Sequence, residues 1–266
     1  MPLTLRSAAG SDVGRRRSLN QDSAITSPRL LAVADGMGGH AHGEVASTVA
    51  VAALADLDAG LAGRDLADVD LLGALGKSAS AAVDRLTELA RDDSGLRGTG
   101  TTVVALLFDG PRIGVLHVGD SRAYLLRDQE LHRLTHDHTL VQALVDEGRI
   151  TPEEALEHPR RSMLMRTLQD GTVVEPDLFE REGRAGDRYL VCSDGVNAVL
   201  ADPEIHEVLA QATGPQEAVE RLIELANEGG GPDNITCVVA DLVDGPDPAP
   251  DAGPTLVGAA AADPTD

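Results

Sequence analysis

The hydrophobic pattern of the N-terminal third changes from the period of a strand to that of a helix. Residues 3–9 alternate weakly between apolar and polar, and residues 23–25 and 30–34 form two short apolar runs, so we predict three strands. Farther on, apolar residues recur every three to four positions over residues 45–57 and again over 71–91. This spacing places them on one face and predicts two amphipathic helices.

The middle of the chain is a series of short apolar runs separated by tight turns. Residues 101–108 and 113–118 flank Asp109-Gly110, and Asp-Gly between apolar runs is the strongest short signal for a β-hairpin. Residues 122–126 and 131–134 form a second pair of runs around a polar turn. Consecutive hairpins predict an antiparallel meander, which disfavours a doubly wound dinucleotide-binding fold.

The C-terminal half contains both the strand period and the helix period. The elements predicted there are a helix over 139–147, an exposed polar flap over 148–162, strands over 173–181 and 187–192, helices over 203–211 and 215–228, and a strand over 235–241. Over residues 243–266, proline, aspartate, glycine and alanine dominate. Because such a segment buries too little apolar surface to offset the entropy of ordering it, we predict a disordered acidic tail over 243–266.

The formal net charge of −22 restricts the partners that the protein can bind. Lys77 is the only lysine, and arginine supplies the remaining positive charge, so electrostatics disfavour nucleic acid and anionic membrane surfaces. No run approaches 18 apolar residues, and no charged segment leads into an apolar core at the N-terminus. Cys192 and Cys237 lie in predicted strands. We therefore expect two reduced, buried thiols in a soluble, cytoplasmic protein.

Aspartates recur at the ends of predicted strands. Three follow apolar strands with a glycine beside them, one precedes a strand, and one more ends a polar loop; they are Asp35, Asp120, Asp194, Asp233 and Asp22. A single Asp-Gly is most often a turn, and spacing does not decide whether the five converge. If they do, their mutual repulsion calls for a cation. Oxygen ligands without paired His or Cys spacing favour two Mg²⁺ or Mn²⁺ ions that activate a water molecule against phosphorus.

A loop that follows residue 10 carries three consecutive arginines, Arg15, Arg16 and Arg17, before Asn20-Gln21-Asp22. The general expectation for such a run is a solvated loop. The alternative is a phosphate clamp, because a guanidinium group can bind two phosphate oxygens at once. The arginines alone leave both interpretations open.

Seven short motifs occur in one order over about residues 5–241. They are Arg17-x-x-Asn20-Gln21-Asp22; Asp35-Gly36-Met37-Gly38-Gly39-His40 with Gly43-Glu44 and Ala46-Ser47; Gly100-Thr101-Thr102; Val118-Gly119-Asp120-Ser121-Arg122-Ala123-Tyr124; Leu134-Thr135 with Asp137-His138; Ser193-Asp194-Gly195; and Gly231-Pro232-Asp233-Asn234-Ile235-Thr236. In this combination the chain closely resembles the PPM-type (type 2C) metal-dependent protein serine/threonine phosphatases, in particular their bacterial branch.

The resemblance implies one catalytic domain over residues 1–242, followed by the tail. Its fold would be α+β, a four-layer α-β-β-α sandwich of two antiparallel sheets flanked by helices. The implied reaction is hydrolysis of phosphoserine or phosphothreonine on proteins by a hydroxide that bridges two Mn²⁺ or Mg²⁺ ions, with a weaker third ion and no covalent phosphoenzyme. The implied partners are phosphorylated proteins, namely serine/threonine kinases and their substrates, and we expect a monomer.

The resemblance also assigns roles by motif position. Asp35 would bridge two ions, Asp194 and Asp233 would hold the first, Asp22 and the Gly36 carbonyl would serve the second, Asp120 would join Asp194 at the third, and Arg17 would clamp the substrate phosphate. Animal members have a histidine directly after the Asp-Gly, where this chain has Met37. His40 is the candidate replacement as general acid, with a structural or substrate-contacting role as the alternative. We predict that His117 and His138 are strand and turn residues.

Two other functions remain open at this stage. A pseudophosphatase would keep the fold as a phosphoprotein-binding regulatory module, although a binder need not retain every carboxylate of the metal site. A phosphatase for a small phosphoester or for an anti-anti-sigma type partner would have the same chemistry but another substrate. Phosphate release from a phosphopeptide separates the first of these from an enzyme.

Overall fold

The computed structural model describes residues 3–38, 42–173, 175–245 and 253–261. Its strands are β1 (Leu3–Asp12), β2 (Asp22–Thr26), β3 (Leu30–Met37), β4 (Gly100–Thr101), β5 (Val103–Asp109), β6 (Arg112–Val118), β7 (Arg122–Arg127), β8 (Glu130–Arg133), β9 (Leu168–Gln169), β10 (Asp177–Glu182), β11 (Arg188–Cys192), β12 (Ile235–Asp244) and β13 (Thr255–Gly258). Its helices are α1 (Gly43–Leu61), α2 (Leu71–Asp92), α3 (Leu140–Asp146), α4 (Pro152–Glu157), α5 (Asp194–Asn197), α6 (Asp202–Gln211) and α7 (Pro215–Glu228), with short 3₁₀ helices at Ser94–Leu96 and Ala259–Ala261.

The strands form two antiparallel sheets. The first has the order β1-β12-β11-β7-β8, and the second has the order β10-β6-β5-β3-β2-β13, with β4 and β9 attached beside β3. The predicted hairpin of β5 and β6 is confirmed. Gly110 at its turn has a φ of +57°, which glycine adopts without strain and which a two-residue hairpin loop requires.

Three apolar layers hold the sheets and helices together. The inner faces of the two sheets pack on each other through residues such as Val33, Leu106 and Val238. The apolar faces of α1 and α2 cover the outside of the second sheet, and α6 and α7 cover the outside of the first. None of the helices in the described ranges has the length and apolar content needed to cross a bilayer. The predicted four-layer α-β-β-α sandwich is therefore confirmed.

Several element boundaries differ from the prediction. Asp35 lies inside β3, because Gly36 and Met37 continue the strand by pairing with β4. The predicted flap over 148–162 contains α4, whose N-terminus is stabilised by a capping box between Thr151 and Glu154. The strand predicted over 173–181 is β10, at Asp177–Glu182.

The predicted disordered tail over 243–266 differs most from the structure at the residues that are described, while residues 246–252 and 262–266 lie outside the described ranges. β12 continues to Asp244, and Thr255–Gly258 form β13 on the edge of β2. The tail contains a short β-branched and apolar run that pairs with a strand more than 200 positions away in the sequence, and composition carries no information about that pairing. The boundary of the catalytic domain at residue 242 remains a prediction.

Candidate active site

Asp22 and Asp35 face each other at one end of the second sheet. Asp22 begins β2, and it lies directly opposite Asp35 in the antiparallel pair of β2 and β3. Asp22 is 1% exposed, and Ser193 Oγ donates a hydrogen bond to its Oδ2 at 2.7 Å. Burial raises the pKa of Asp22 to about 7, and the charges of Asp194 and Asp233 add to this effect. Keeping this carboxylate charged without a cation therefore destabilises the folded state.

Asp35 is at the electrostatic centre of the carboxylates. Burial raises its pKa well above the ordinary value, and the nearby charges of Asp22, Asp194 and Asp120 raise it further. Asp35 inside β3 and three aspartates at the ends of β2, β6 and β11 thus bring carboxylates from both sheets together. Spacing left this convergence open, and the structure brings Asp22, Asp35, Asp120 and Asp194 close enough for their charges to affect one another.

Asp194 and Asp120 complete the cluster from the two sheets. Asp194 begins α5 directly after β11, and Asp120 lies in the turn after β6. Burial raises the pKa of Asp194 to about 6, with the charge of Asp233 as the next cause, and burial together with the charge of Asp194 raises the pKa of Asp120 to about 7. Within the described residues, Asp194 Oδ1 is buried without a hydrogen-bond partner. That oxygen is available to a ligand.

Arg17 is a half-exposed cation beside this cluster, and the more buried Arg122 lies near Asp120 and Asp194. Its Nη2 lies 2.7 Å from Asp233 Oδ2, and its side chain is 50% exposed. The hydrogen bond to Asp233 raises the pKa of Arg17, and the charges of Asp35 and Asp194 contribute. Arg17 is therefore held at the cluster with half of its surface open to solvent, which is the position that a phosphate-binding guanidinium requires.

The loop that carries Arg17 is fixed by two asparagines to which the motifs assigned no role. Asn234 Nδ2 donates to the Val13 and Leu19 carbonyl oxygens at 2.9 Å, and its Oδ1 accepts from Gln21 N at 2.8 Å. Asn20 Oδ1 accepts from Asp22 N at 3.1 Å. An asparagine between Asp233 and a strand was the available sequence signal for this function. These bonds tie the arginine loop to the start of β12.

Two threonines hold the backbone of Asp35. Asp35 N donates to Thr102 Oγ1 at 3.1 Å, and Thr101 Oγ1 donates to the Asp35 carbonyl oxygen at 2.9 Å. Thr102 Oγ1 and Ser121 Oγ lie 2.7 Å apart. Sequence reasoning missed this support, because threonine in a strand is usual whether or not its hydroxyl has a partner.

Gly36 occupies a place where a side chain does not fit. A Cβ at this position would overlap the Gly43 carbonyl oxygen and lie 2.6 Å from the Gln21 carbonyl oxygen. The glycine therefore allows the end of β3 to touch the beginning of α1. The metal-binding role of the Gly36 carbonyl remains a proposal, and His40, the candidate general acid, lies outside the described residues.

A second group of titratable side chains comes from β6, from β10 and from the loop that contacts Gly119, the chain neighbour of Asp120. Ligand atoms of His117, His138 and Asp177 are within 4.8 Å of one another. His138 Nδ1 accepts a hydrogen bond from Gly119 N at 3.1 Å, so the proton of the neutral ring is on Nε2, which lies 3.1 Å from Asp177 Oδ2. A protonated nitrogen does not bind a metal. We therefore interpret His138 and Asp177 as a hydrogen-bonded support. Both ring nitrogens of His117, in β6, are buried without a hydrogen-bond partner among the described residues. The sequence predicts that His117 and His138 are strand and turn residues, and His117 lies in β6 and His138 in a loop.

The carboxylate cluster has the properties of a divalent-cation site. Its donors are oxygens, which suit Mg²⁺ and Mn²⁺ better than softer ions. Burial and mutual repulsion raise the pKa values of Asp22, Asp35, Asp120 and Asp194. A bound cation would stabilise the charged carboxylates and lower these pKa values again. The buried, unpartnered oxygen of Asp194 points to the same conclusion.

Comparisons with known proteins agree with this site. The family described as Protein phosphatase 2C matches residues 9–228. The serine/threonine protein phosphatase PstP of Mycobacterium tuberculosis is 56% identical over 91% of this chain, which spans only 46% of the length of that relative. The serine/threonine phosphatase stp of Listeria monocytogenes is 35% identical over 87% of this chain and 93% of its own length.

A solved structure extends the comparison to the fold. The catalytic domain of PstP, crystallised with two manganese ions, is 52% identical and superimposes with a TM-score of 0.83 over 91% of this chain and 100% of the solved one. The architecture, the carboxylates and the extent of the sequence match lead to the same assignment: this chain belongs to the protein phosphatase 2C family.

Proposed function

We propose that this protein hydrolyses phosphoserine and phosphothreonine on other proteins with the help of two Mn²⁺ or Mg²⁺ ions. The observation that carries the proposal is the convergence of buried and partly buried carboxylates beside one half-exposed guanidinium. The named functions of the relatives, and the two manganese ions bound by one of them, support it. When bound, the ions would supply the nucleophile by lowering the pKa of a water molecule.

Each part of the site has a task in this reaction. Asp22, Asp35, Asp194 and Asp233, with the Gly36 carbonyl, would hold the two ions, and Asp120 with Asp194 would hold a weaker third. Arg17 binds and orients the substrate phosphate, and its contact with Asp233 at 2.7 Å fixes the guanidinium at the edge of the cluster. No cysteine serves as a nucleophile, because Cys192 and Cys237 are buried thiols whose pKa values burial raises.

The substrates we propose are phosphorylated proteins, in particular serine/threonine kinases and their targets, in a signalling role in the cytoplasm. We expect the chain to act as a monomer. The rival function, a phosphoprotein-binding module without turnover, is disfavoured by the carboxylates themselves. A cluster with pKa values raised this far costs stability unless an ion is held there.

Phosphate release from a phosphothreonine peptide tests the proposal. The protein is assayed with Mn²⁺, with EDTA, and as Asp194→Asn, with Asp84→Asn on the exposed side of α2 as the matched control. We expect EDTA to abolish turnover and Asp194→Asn to lower it at least about 100-fold, because even indirect partners of metal ligands typically cost 10- to 100-fold. The control should keep full activity.

Each contrary result has a defined meaning. Activity that survives both EDTA and Asp194→Asn contradicts the metal-dependent mechanism. Binding of the phosphopeptide without turnover favours the regulatory module. Rapid hydrolysis of para-nitrophenyl phosphate combined with none of the phosphopeptide indicates a small-molecule phosphatase instead.

A further inference from the structure

The C-terminal segment adds a strand to the second sheet on the side where Asp22 begins β2. In the pair of β13 and β2, Thr255 lies opposite Thr26 and Gly258 lies opposite Ser23. Without β13, β2 would be the edge strand of this sheet. An uncovered edge exposes unpaired backbone N–H and C=O groups. Residues 253–261 therefore complete the sheet directly beside a proposed metal ligand.

Gly258 packs closely against the backbone of that proposed ligand. Its φ is +72°, and a Cβ at this position would overlap the Asp22 carbonyl oxygen and lie 3.1 Å from Ser11 Oγ. Only glycine combines this backbone conformation with this contact at no cost. The backbone of the tail is thus seated on the backbone of Asp22.

A series of hydrogen bonds continues from the tail into the site. Ala260 N donates to Ser23 Oγ at 3.1 Å, Ser23 Oγ lies 2.9 Å from Ser47 Oγ, and Ser47 Oγ donates to the Gln21 carbonyl oxygen at 2.6 Å. Ser23 and Ser47 are fully buried, so water does not compete for these bonds. Because Gln21 and Ser23 are the chain neighbours of Asp22, its backbone is held on both sides.

Apolar contacts keep the segment docked. Val257 packs against the core between the two sheets, and Ala260 packs against the core beneath α1. Leu256, which alternates with Val257 along the strand, is 37% exposed. The segment thus has a buried face and an open face, as an edge strand that belongs to the fold does.

We propose that residues 253–261 position Asp22 for binding a divalent cation. When docked, the segment holds the backbone of residues 21–23, and the carboxylate of Asp22 is presented to the cluster in a fixed orientation. The inference rests on the proposed function. If the segment only covered the sheet edge, its release would lower stability and leave the affinity for the metal unchanged.

Two glycine substitutions in the full chain test this positioning role. Gly258→Ala should release the segment, because the new methyl group overlaps the Asp22 carbonyl at a positive φ. Gly253→Ala is the matched control, since a Cβ there meets nothing within 4 Å. Hydrogen exchange of the β2 amides reports docking, and calorimetric titration with Mn²⁺ reports affinity. We expect faster exchange in β2 and about 10-fold weaker Mn²⁺ binding for Gly258→Ala alone.

Faster exchange in Gly258→Ala with the wild-type Mn²⁺ affinity would overturn the inference. If exchange is unchanged, Val257→Asp replaces it as the releasing variant, with Leu256→Asp on the open face as its control. Unchanged exchange in Val257→Asp as well would show that the segment does not hold β2, and it would also overturn the inference. A wild-type protein that binds no Mn²⁺ would overturn the proposed function as well, so the two failures are recognised from different samples.

Discussion

Gly36 and Gly38 differ in how much space the fold leaves around them. A Cβ on Gly36 overlaps the Gly43 carbonyl oxygen, whereas a Cβ on Gly38 meets its nearest atoms, Gly43 N and Thr99 Oγ1, at an ordinary 3.7 Å. Of the two glycines of this motif that the structure describes, Gly36 has to be glycine for steric reasons and Gly38 does not. Sequence alone shows both glycines and cannot rank them, because the difference arises from how closely β3 approaches α1.

We expect Gly36→Ala to lower the free energy of unfolding by about 1–3 kcal/mol, the usual cost of forcing extra volume into a packed site. Gly38→Ala should change it by less than about 0.5 kcal/mol. Urea denaturation of both variants in EDTA measures the difference without any contribution from metal. Equal stability of the two variants would contradict the close contact between β3 and α1.

At the level of elements, His138 connects a turn to its neighbours. Its Nδ1 accepts from Gly119 N, its own backbone N donates to the Gly119 carbonyl oxygen at 2.8 Å, and its Nε2 lies beside Asp177. Asp177 also pairs with Arg166 at 3.0 Å. One histidine thereby fixes the turn that carries Asp120 and joins it to β10.

His138→Ala should lower the free energy of unfolding by about 1–3 kcal/mol, because it leaves the buried Gly119 N without an acceptor. His138→Asn is the comparison variant, since its side-chain oxygen can accept from the same N–H and should recover part of the loss. Thermal or urea unfolding measures both. Identical losses in the two variants would show that the missing acceptor for Gly119 N does not cause the loss of stability.

Sequence periodicity predicted most elements, and it failed where pairing partners are distant. The helix predicted over 71–91 is Leu71–Asp92, and the one predicted over 215–228 is Pro215–Glu228. The extension of β3 through Met37 and the strand β13 depend on partners that lie elsewhere in the chain. The carboxylates of the cluster could be found in the sequence because each of these aspartates lies in a short local motif. The hydroxyls and amides that support them could not be assigned that role from the sequence.

At the scale of the whole molecule, metal binding and proton binding oppose each other. In the folded, metal-free protein the pKa values of Asp22 and Asp120 are about 7, and that of Asp194 is about 6. An unfolded chain has ordinary, lower values, so the folded state binds more protons between about pH 4 and 7, and the metal-free protein loses stability as pH rises through this window. A bound cation removes the penalty by displacing those protons.

The increase in melting temperature caused by Mn²⁺ should therefore be at least about twofold larger at pH 7.5 than at pH 5.5. Calorimetric scans with Mn²⁺ and with EDTA at both pH values measure it. His117, whose pKa burial lowers to about 4, acts with the opposite sign, but it is present in both samples and cancels in the difference. An Mn²⁺ effect that is equal at the two pH values would contradict the coupling.

The two thiols of the first sheet can be used to measure motion of the unmodified protein. Cys192 and Cys237 lie directly opposite each other on β11 and β12, and both are fully buried. Both thiols face the apolar layer that α6 and α7 cover. A maleimide or disulfide reagent can therefore reach them only when these helices move away from the sheet or the two strands separate. Asp194 follows one of the strands and Asp233 precedes the other. The rate of chemical labelling in the unmodified protein therefore measures how often the part of the first sheet that carries Asp194 and Asp233, or the helical layer on it, opens.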